Sequence, residues 1–149
     1  MSVAHSTVHF HGTPDGTISL TYDARLLRRK KLTSDQGVPF LVDLPQTTSV
    51  TDHDAFVLDD GRKIAVVAAS EPLMRVTGDL VRLAWHIGNR HAPCAILTDG
   101  LLVQREKVMR VMLGQLGATV TDIDAPFAPE GGAYGHGRTM GHDHSHSHA

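Results

Sequence analysis

The feature that most limits how this chain can fold is its C-terminal tail, where every second residue from His142 to His148 is a histidine. Aspartate and serine separate these histidines, so the segment offers no apolar side chain to a core. Such a composition cannot offset the entropy lost when a backbone is ordered. We therefore expect residues 135–149 to be disordered. Because an expression tag is usually an unbroken histidine run, the spacers favour a native tail.

The tail is also rich in metal ligands. Neutral imidazole nitrogen binds nickel, zinc and copper ions well, and no sulfur ligand follows Gly141. Since availability in the cell decides much of the outcome, these residues alone do not separate Ni(II) from its competitors Zn(II) and Cu(II). A disordered segment holds a metal in no fixed geometry, which favours capture and delivery over catalysis. The candidate ligands are His136, His142, His144, His146 and His148, with Asp143 as an additional carboxylate.

Composition restricts the class of protein. The chain has 149 residues, enough for one medium domain or two small ones, and its 14 basic and 16 acidic side chains disfavour a large nucleic-acid footprint. Cys94 is the single cysteine, so no intramolecular disulfide can form and no thiolate zinc pattern is present. Without a basic and apolar N-terminal signal or a long apolar segment, we expect a soluble cytoplasmic protein.

Short β-branched runs separated by turn residues fill the first half of the chain, which is typical of a small antiparallel β domain. We assign this domain to residues 1–72. Pro45 should end the second strand, and Asp59-Asp60-Gly61 is a hairpin-type turn. The basic run Arg28–Lys31 is expected to be a solvated strand or loop face. The predicted strands are 17–22, 39–44, 55–58 and 63–69.

The pattern changes after Pro72 and predicts the order β-α-β-β-α-β, a ferredoxin-like unit over residues 73–134. Thr77 is the expected N-cap of the first helix, and Gly88-Asn89 its expected stop. The fold class is therefore α+β, with two domains and a tail. The predicted strands are 73–76, 93–98, 101–104 and 118–123, and the helical stripes are Leu80, Leu83, Ala84 and Ile87, then Met109, Met112, Leu113 and Leu116.

Two histidines mark a candidate site on the folded body. His91 lies just past the first predicted helix, and His86 lies five residues earlier, which is not the i, i+4 spacing that chelates a metal from one helix face. Taken singly, His91 is expected to be a surface residue, and His86 a partly buried imidazole with a hydrogen-bond partner. The apolar neighbours of Cys94 favour an inert core thiol over a nucleophile. His5, His9 and His11 have irregular spacing and are interpreted as surface residues.

Several longer segments carry a family resemblance. They are His86-Ile87-Gly88-Asn89-Arg90-His91-Ala92-Pro93, residues 108–117, residues 126–134, and Arg28–Leu32 before Asp35-Gln36-Gly37. Together with the histidine-rich terminus, this chain resembles the urease accessory proteins of the UreE type, a family of nickel metallochaperones. The resemblance covers nearly the whole chain from Thr17 to the tail.

The resemblance implies a specific function and assembly. It implies that the N-terminal β domain contacts partners and that the ferredoxin-like domain binds Ni(II). It also implies a homodimer in which His91 lies on the dimer axis, so that two copies share one metal. The implied partners are the urease apoprotein and other urease accessory proteins, including the maturation GTPase. Some members carry a further histidine pair where this chain has Arg105 and Lys107, and cations cannot replace those ligands.

Three alternatives stay open at this point. A histidine-rich buffer or storage protein for nickel or zinc would have the same tail chemistry. An RNA-binding module would share the ferredoxin-like order and could use Arg28–Lys31, but the predicted central strands lack stacking aromatic residues. An enzyme is disfavoured, because no Ser/His/Asp order or phosphate-binding loop is evident.

Overall fold

The structure of the protein is a computed structural model that describes residues 1–131. The chain divides into two units, an N-terminal unit, Met1–Ala69, and a C-terminal unit that begins at Ser70. The structural division therefore falls a few residues before Pro72, where the sequence pattern changes. The predicted disordered tail, residues 135–149, lies outside the described residues.

The N-terminal unit is a six-stranded sheet. The strand order is β2-β6-β5-β1-β4-β3, so β2 and β3 form its edges. A short 3₁₀ turn at Asp23–Arg25 precedes β3. The strands are β1 (Ser2–His9), β2 (Gly16–Leu20), β3 (Leu26–Thr33), β4 (Pro39–Ser49), β5 (Asp54–Leu58) and β6 (Lys63–Ala68).

The prediction of a purely antiparallel sheet is wrong for two strand pairs. β1 pairs with β4 in parallel, and so does β2 with β6. Both pairings join strands that are distant in sequence, whereas turn residues report only on neighbouring strands, such as the antiparallel pair β5 and β6. The sequence reading also missed β1, which carries no clear alternation, and did not commit to β3.

Pro45 does not end β4, which continues to Ser49. The pairing of β3 with β4 shifts register between Leu27, which faces Thr48, and Arg29, which faces Asp43. Pro45 lies within this irregular stretch of β4, where a missing backbone N–H interrupts no regular ladder. The prediction failed because proline excludes a regular ladder position but not a bulge.

One apolar cluster holds the N-terminal unit together. Phe40 and Phe56 are fully buried at its centre, with ring centroids 5.9 Å apart. Val42, Ile64 and Val66 are also buried, so one face of β4 and one face of β6 contribute to the same core. Burial of these apolar side chains is the main stabilising term for a unit this small.

The C-terminal unit contains both helices of the described chain and a four-stranded sheet. The strand order is β10-β7-β9-β8, and each neighbouring pair is antiparallel. With these two sheets and two helices, the α+β class is confirmed. The elements are β7 (Ser70–Thr77), α1 (Leu80–Asn89), β8 (Cys94–Ile96), β9 (Leu101–Gln104), α2 (Lys107–Gln115) and β10 (Thr119–Pro126).

Both helices begin at side-chain caps, and the cap of α1 differs from the prediction. The carboxylate of Asp79, not Thr77, accepts the backbone N–H of Arg82 at 3.3 Å and caps α1. Glu106 caps α2 by accepting backbone N–H groups of its first turn. An aspartate at this position both satisfies an orphan N–H group and places negative charge at the positive helix end.

The predicted apolar stripes face the core of the C-terminal unit. Leu83 and Ile87 of α1 and Met109 and Leu113 of α2 are buried in one cluster. Strand residues such as Met74 complete that cluster. Neither helix in the part of the chain that the structure describes has the length and apolar content needed to cross a membrane.

Candidate metal centre

His91 occupies the left-handed turn that ends α1. Its φ is +59°, and among residues 1–131 no other non-glycine residue has a positive φ. The N–H of His91 donates to the carbonyl of Gly88 at 2.9 Å, and the N–H of Ala92 to that of Ile87 at 3.4 Å. These two bonds form a Schellman motif, in which the left-handed position is usually glycine. The chain therefore has a histidine at a position where the backbone conformation favours glycine.

Helix α2 ends in the same motif, but with glycine. Gly117 has a φ of +82°, its N–H donates to the carbonyl of Gly114, and the N–H of Ala118 donates to that of Leu113. The expected stop of α1 at Gly88-Asn89 is thus wrong in detail, because both residues belong to the helix and the reversal occurs at His91. A glycine inside a helix need not end it, since the stop requires the left-handed conformation rather than the residue type.

The two histidines of the predicted site have different surroundings. His91 is exposed, whereas His86 is partly buried on α1. The imidazole of His86 meets the indole of Trp85 edge-on, with ring centroids 5.1 Å apart. Within residues 1–131, neither histidine belongs to a group of three or more His, Cys, Asp or Glu side chains arranged to hold a metal ion. His91 therefore offers a single exposed imidazole.

The end of the described chain returns to the segment that follows His91. The N–H of Glu130 donates to the carbonyl of Cys94 at 2.8 Å, so the chain reaches Gly131 beside the start of β8. Burial, with a smaller contribution from the charge of Glu130, raises the pKa of the Cys94 thiol to about 11. The thiol is therefore protonated at neutral pH, which disfavours it as a nucleophile or a thiolate ligand.

Arg105, which stands where some relatives are expected to have histidine, has a structural role. Its guanidinium donates to the carbonyls of Leu73 at 3.3 Å and Ile123 at 2.8 Å. It also lies 3.3 Å from a carboxylate oxygen of Asp124. The side chain therefore ties the edge strand β10 to β7 through charge-assisted hydrogen bonds.

The basic run predicted to be a solvated face lies on β3. Arg28, Arg29, Lys30 and Lys31 are all exposed, and Arg29 pairs with Asp43 of the neighbouring strand at 3.0 Å. Because β3 is a sheet edge, these charges also discourage edge-to-edge association with another chain. This arrangement agrees with the prediction of a solvated strand face.

The N-terminal histidines do not behave as one group. His5 Nδ1 lies 3.2 Å from the carbonyl oxygen of Asp43, whereas His9 lies close to His11 and His53. Sequence analysis did not single out His53 and treated His9 and His11 as isolated surface residues. The pairing of β1 with β5 brings these histidines together. The sequence could have indicated this cluster only if β1 had been predicted as a strand.

The remaining predicted ligands lie outside the described residues. They are His136, His142, His144, His146, His148 and Asp143.

Comparisons with known proteins cover nearly the whole chain. The model of the N-terminal domain of the UreE urease accessory protein matches residues 3–69, and that of its C-terminal domain matches residues 64–149. A urease accessory protein UreE from Ruegeria pomeroyi is 58% identical over 131 residues, which cover 87% of this chain and 88% of the relative. One from Rhodobacter capsulatus is 55% identical over 134 residues, covering 89% and 86% of the two chains. One from Ruegeria sp. is 56% identical, covering 88% and 78%.

Proposed function

Because this chain belongs to the UreE urease accessory protein family, we propose that it is a nickel metallochaperone that binds Ni(II) and delivers it during assembly of the urease active site. In this role the metal is cargo, and the protein acts as an accessory chaperone rather than an enzyme. Zn(II) and Cu(II) are the expected competitors, because both also bind imidazole nitrogen.

The backbone conformation of His91 is the observation that carries the assignment of the delivery site. A non-glycine residue in the left-handed region costs about 1–2 kcal/mol, and such strain concentrates at functional sites. Gly117 performs the same structural task at the end of α2 without that cost. The helix stop therefore does not require histidine at this position, and the imidazole of His91 is exposed at the helix end, where an incoming ion can reach it.

One imidazole makes a weak metal site, so we propose that two copies of the chain share the ion. A two-fold axis through His91 repeats the ligand without adding a residue, because an isologous interface contributes each side chain twice. An apolar stripe on α1 supports such an interface. Val81 is 85% exposed and Trp85 64% exposed, and they lie with Gly88 at i, i+4 and i+7 on the helix that leads to His91.

The stripe gives the homodimer a direct test. Trp85→Asp should convert metal-free dimers to monomers in sedimentation velocity, because a carboxylate would be buried without a partner. Val108→Asp on α2, where Val108 is 56% exposed, is the matched control and should leave the dimer intact. A dimer that survives Trp85→Asp would exclude this face as the interface.

The C-terminal unit is proposed to be a ferredoxin-like metal domain. Its element order β-α-β-β-α-β and strand order β10-β7-β9-β8 support this assignment. The N-terminal unit is proposed to contact partners, which we infer to be the urease apoprotein and other urease accessory proteins, including the maturation GTPase. We place the protein in the cytoplasm, where these partners assemble.

The histidine-rich terminus is proposed to load the site at His91 and to supply outer ligands. The described chain reaches Gly131 next to Cys94, three residues after His91. His136 is the fifth residue after Gly131, so the tether reaches at most about 18 Å to that first histidine and about 60 Å to His148. Tethering raises the effective concentration of these imidazoles near His91. Asp143 of the tail and His86 of α1 are proposed as additional metal ligands.

Truncation after Tyr134 tests the loading role. The truncated protein should bind fewer Ni(II) ions per dimer in equilibrium dialysis, and it should activate urease only at a higher nickel concentration. An unchanged metal count would refute the proposed loading step while leaving the assignment of His91 intact.

The delivery role is tested in cells that lack this protein. Restoring the wild-type chain should restore urease activity at low nickel, and His91→Ala should restore little of it. Added nickel should restore urease activity both in cells that lack the protein and in cells with His91→Ala, since a delivery protein becomes dispensable when its cargo is abundant. His5→Ala is the matched control, because it also removes an imidazole from the surface. Full activation by His91→Ala at low nickel would overturn the proposal.

A further inference from the structure

Three imidazoles from two distant parts of the chain meet at one end of the six-stranded sheet. His9 ends β1 and faces Asp54, the first residue of β5. The ring of His9 lies 5.6 Å from that of His11 and 6.0 Å from that of His53, measured between centroids. A backbone bond from Phe10 N–H to the carbonyl of His53 at 3.0 Å holds the two segments together. We call His9, His11 and His53 the β1-end cluster.

The ring separations suit chelation by imidazole nitrogen. An ion bound at about 2.1 Å to a ring nitrogen lies about 3.2 Å from the ring centroid, so two ligating rings are roughly 4.5–6.4 Å apart for angles between 90° and 180°. Both separations measured from His9 fall within that interval. Among residues 1–131 no group of three or more His, Cys, Asp or Glu side chains is arranged to hold a metal ion, so binding requires the exposed rings to turn.

Carboxylates lie beside two of the three rings. Asp54 accepts the backbone N–H of Thr51 at 2.8 Å through Oδ2, which leaves Oδ1 at 3.4 Å from His9 Nδ1. Asp52 Oδ1 lies 3.6 Å from His53 Nε2. A carboxylate beside one ring nitrogen favours the N–H tautomer there and leaves the other nitrogen free, as in many carboxylate–histidine–metal arrangements. In that arrangement His9 Nε2 and His53 Nδ1, the nitrogens away from the carboxylates, would be the ones to bind an ion.

The surroundings allow an ion to enter without burial of charge. The side chains of His9 and His53 are 70% and 66% exposed, while that of Asp54 is only 19% exposed. The ligands are therefore open to solvent, and the largely buried carboxylate of Asp54 lies beside His9. Exposed ion pairs add little to folding stability, so stability alone does not account for this gathering of groups.

From this geometry we propose that the β1-end cluster is a second metal site, separate from His91, that binds a late first-row divalent ion such as Ni(II) or Zn(II). Imidazole nitrogen from His9, His53 and His11 supplies the ligands, and water completes the shell. The site is solvent-open and exchanges its ion readily, which suits acquisition rather than storage. It depends only on residues of the N-terminal unit and not on the delivery role of His91.

Ring-resolved spectroscopy on the full chain tests this proposal. Zn(II) is titrated into the protein while ¹H–¹³C signals of the imidazole rings are followed against free zinc. The rings of His9, His11 and His53 should shift together with one apparent affinity, and the ring of His5 should not follow them. Independent responses of the three rings, or no response of His9 and His53, would overturn the proposal.

Substitutions sharpen the test. His53→Gln removes one of the imidazoles that share the ion with His9, so it should weaken zinc binding at His9 by about tenfold or more. If His53→Gln disturbs folding, His11→Gln replaces it, because His11 lies outside the strands, and it should likewise weaken zinc binding at His9. His5→Gln is the matched control and should change the affinity by less than about twofold. An affinity at His9 that both cluster variants leave unchanged would overturn the shared site.

A failure here is distinguishable from a failure of the nickel delivery assignment. His91→Ala should leave the zinc response of the β1-end cluster unchanged, whereas it should abolish urease activation at low nickel. Loss of the cluster response in His91→Ala would show that the two sites are one, against the proposal.

Discussion

Replacing His91 by glycine should stabilise the protein while it removes the ligand to which we assign nickel delivery. With a φ of +59°, any residue with a Cβ is strained at this position, by about 1–2 kcal/mol. Glycine removes that strain but loses about 0.5–1 kcal/mol through its greater freedom in the unfolded chain. We therefore expect His91→Gly to be more stable than His91→Ala by about 0.5–1 kcal/mol.

The two helix ends provide an internal control. Gly117 occupies the same Schellman position with a φ of +82°, and a Cβ added there meets no atom within 4 Å. Gly117→Ala therefore introduces the backbone strain without a steric clash. This substitution should lower the free energy of unfolding by about the same amount by which His91→Gly is expected to exceed His91→Ala.

Denaturant unfolding of metal-free protein, followed by circular dichroism, measures these differences. Metal must be removed because an ion bound at His91 would stabilise the wild type by mass action. For a unit of this size, the expected change corresponds to roughly 2–8 °C in melting temperature. Equal stability of His91→Gly and His91→Ala, alongside a loss in Gly117→Ala, would refute the claim that His91 is strained for its function.

Three further predictions concern the protonation of side chains and its effect on reactivity, stability and metal binding. Because its pKa is raised to about 11 by burial and by Glu130, Cys94 should react with iodoacetamide at pH 7.5 far more slowly than free glutathione, and equal rates by mass spectrometry would contradict a protonated core thiol. Burial by itself would raise the pKa of Asp35, but hydrogen bonds from the Thr17 hydroxyl and from the N–H and hydroxyl of Ser19 outweigh it and lower the pKa below the ordinary value of 3.8. Asp35 should therefore stabilise the fold fully above pH 3.8 and lose that effect as the pH falls through its lower folded value, so the stability difference from Asp35→Asn should shrink on acidification. Nickel capacity should fall between pH 7.5 and pH 5, because imidazole binds metal when neutral and its reference pKa is about 6.5; equal capacity in dialysis would indicate carboxylate ligation instead.

Local patterns predicted much of the C-terminal unit. The helical stripes containing Leu83 and Leu113 are buried as expected, and the strand at Leu101–Gln104 agrees in both ends. Helix caps and stops were less predictable, because several residues near each end have suitable chemistry. Asp79 caps α1 where Thr77 was expected, and the stop depends on the φ of His91 rather than on Gly88.

Long-range pairing in the N-terminal unit was not predictable from these patterns. Turn residues specify which neighbouring strands form a hairpin, but nothing local specifies that β1 lies between β5 and β4 or that its partner β4 is parallel. For the same reason, sequence analysis treated His9 and His11 as isolated residues and did not single out His53.

The sequence by itself determined the chemistry of this protein: its family, the motif that ends in His91, and a C-terminal tail rich in imidazoles. These are properties of residue types and short spacings, which need no fold to be recognised. Only the tertiary structure decided that His91 has a left-handed backbone conformation and that the rings of His9 and His53 lie close together. Backbone conformation and contacts between distant segments arise from packing of the whole chain, which residue patterns do not encode locally.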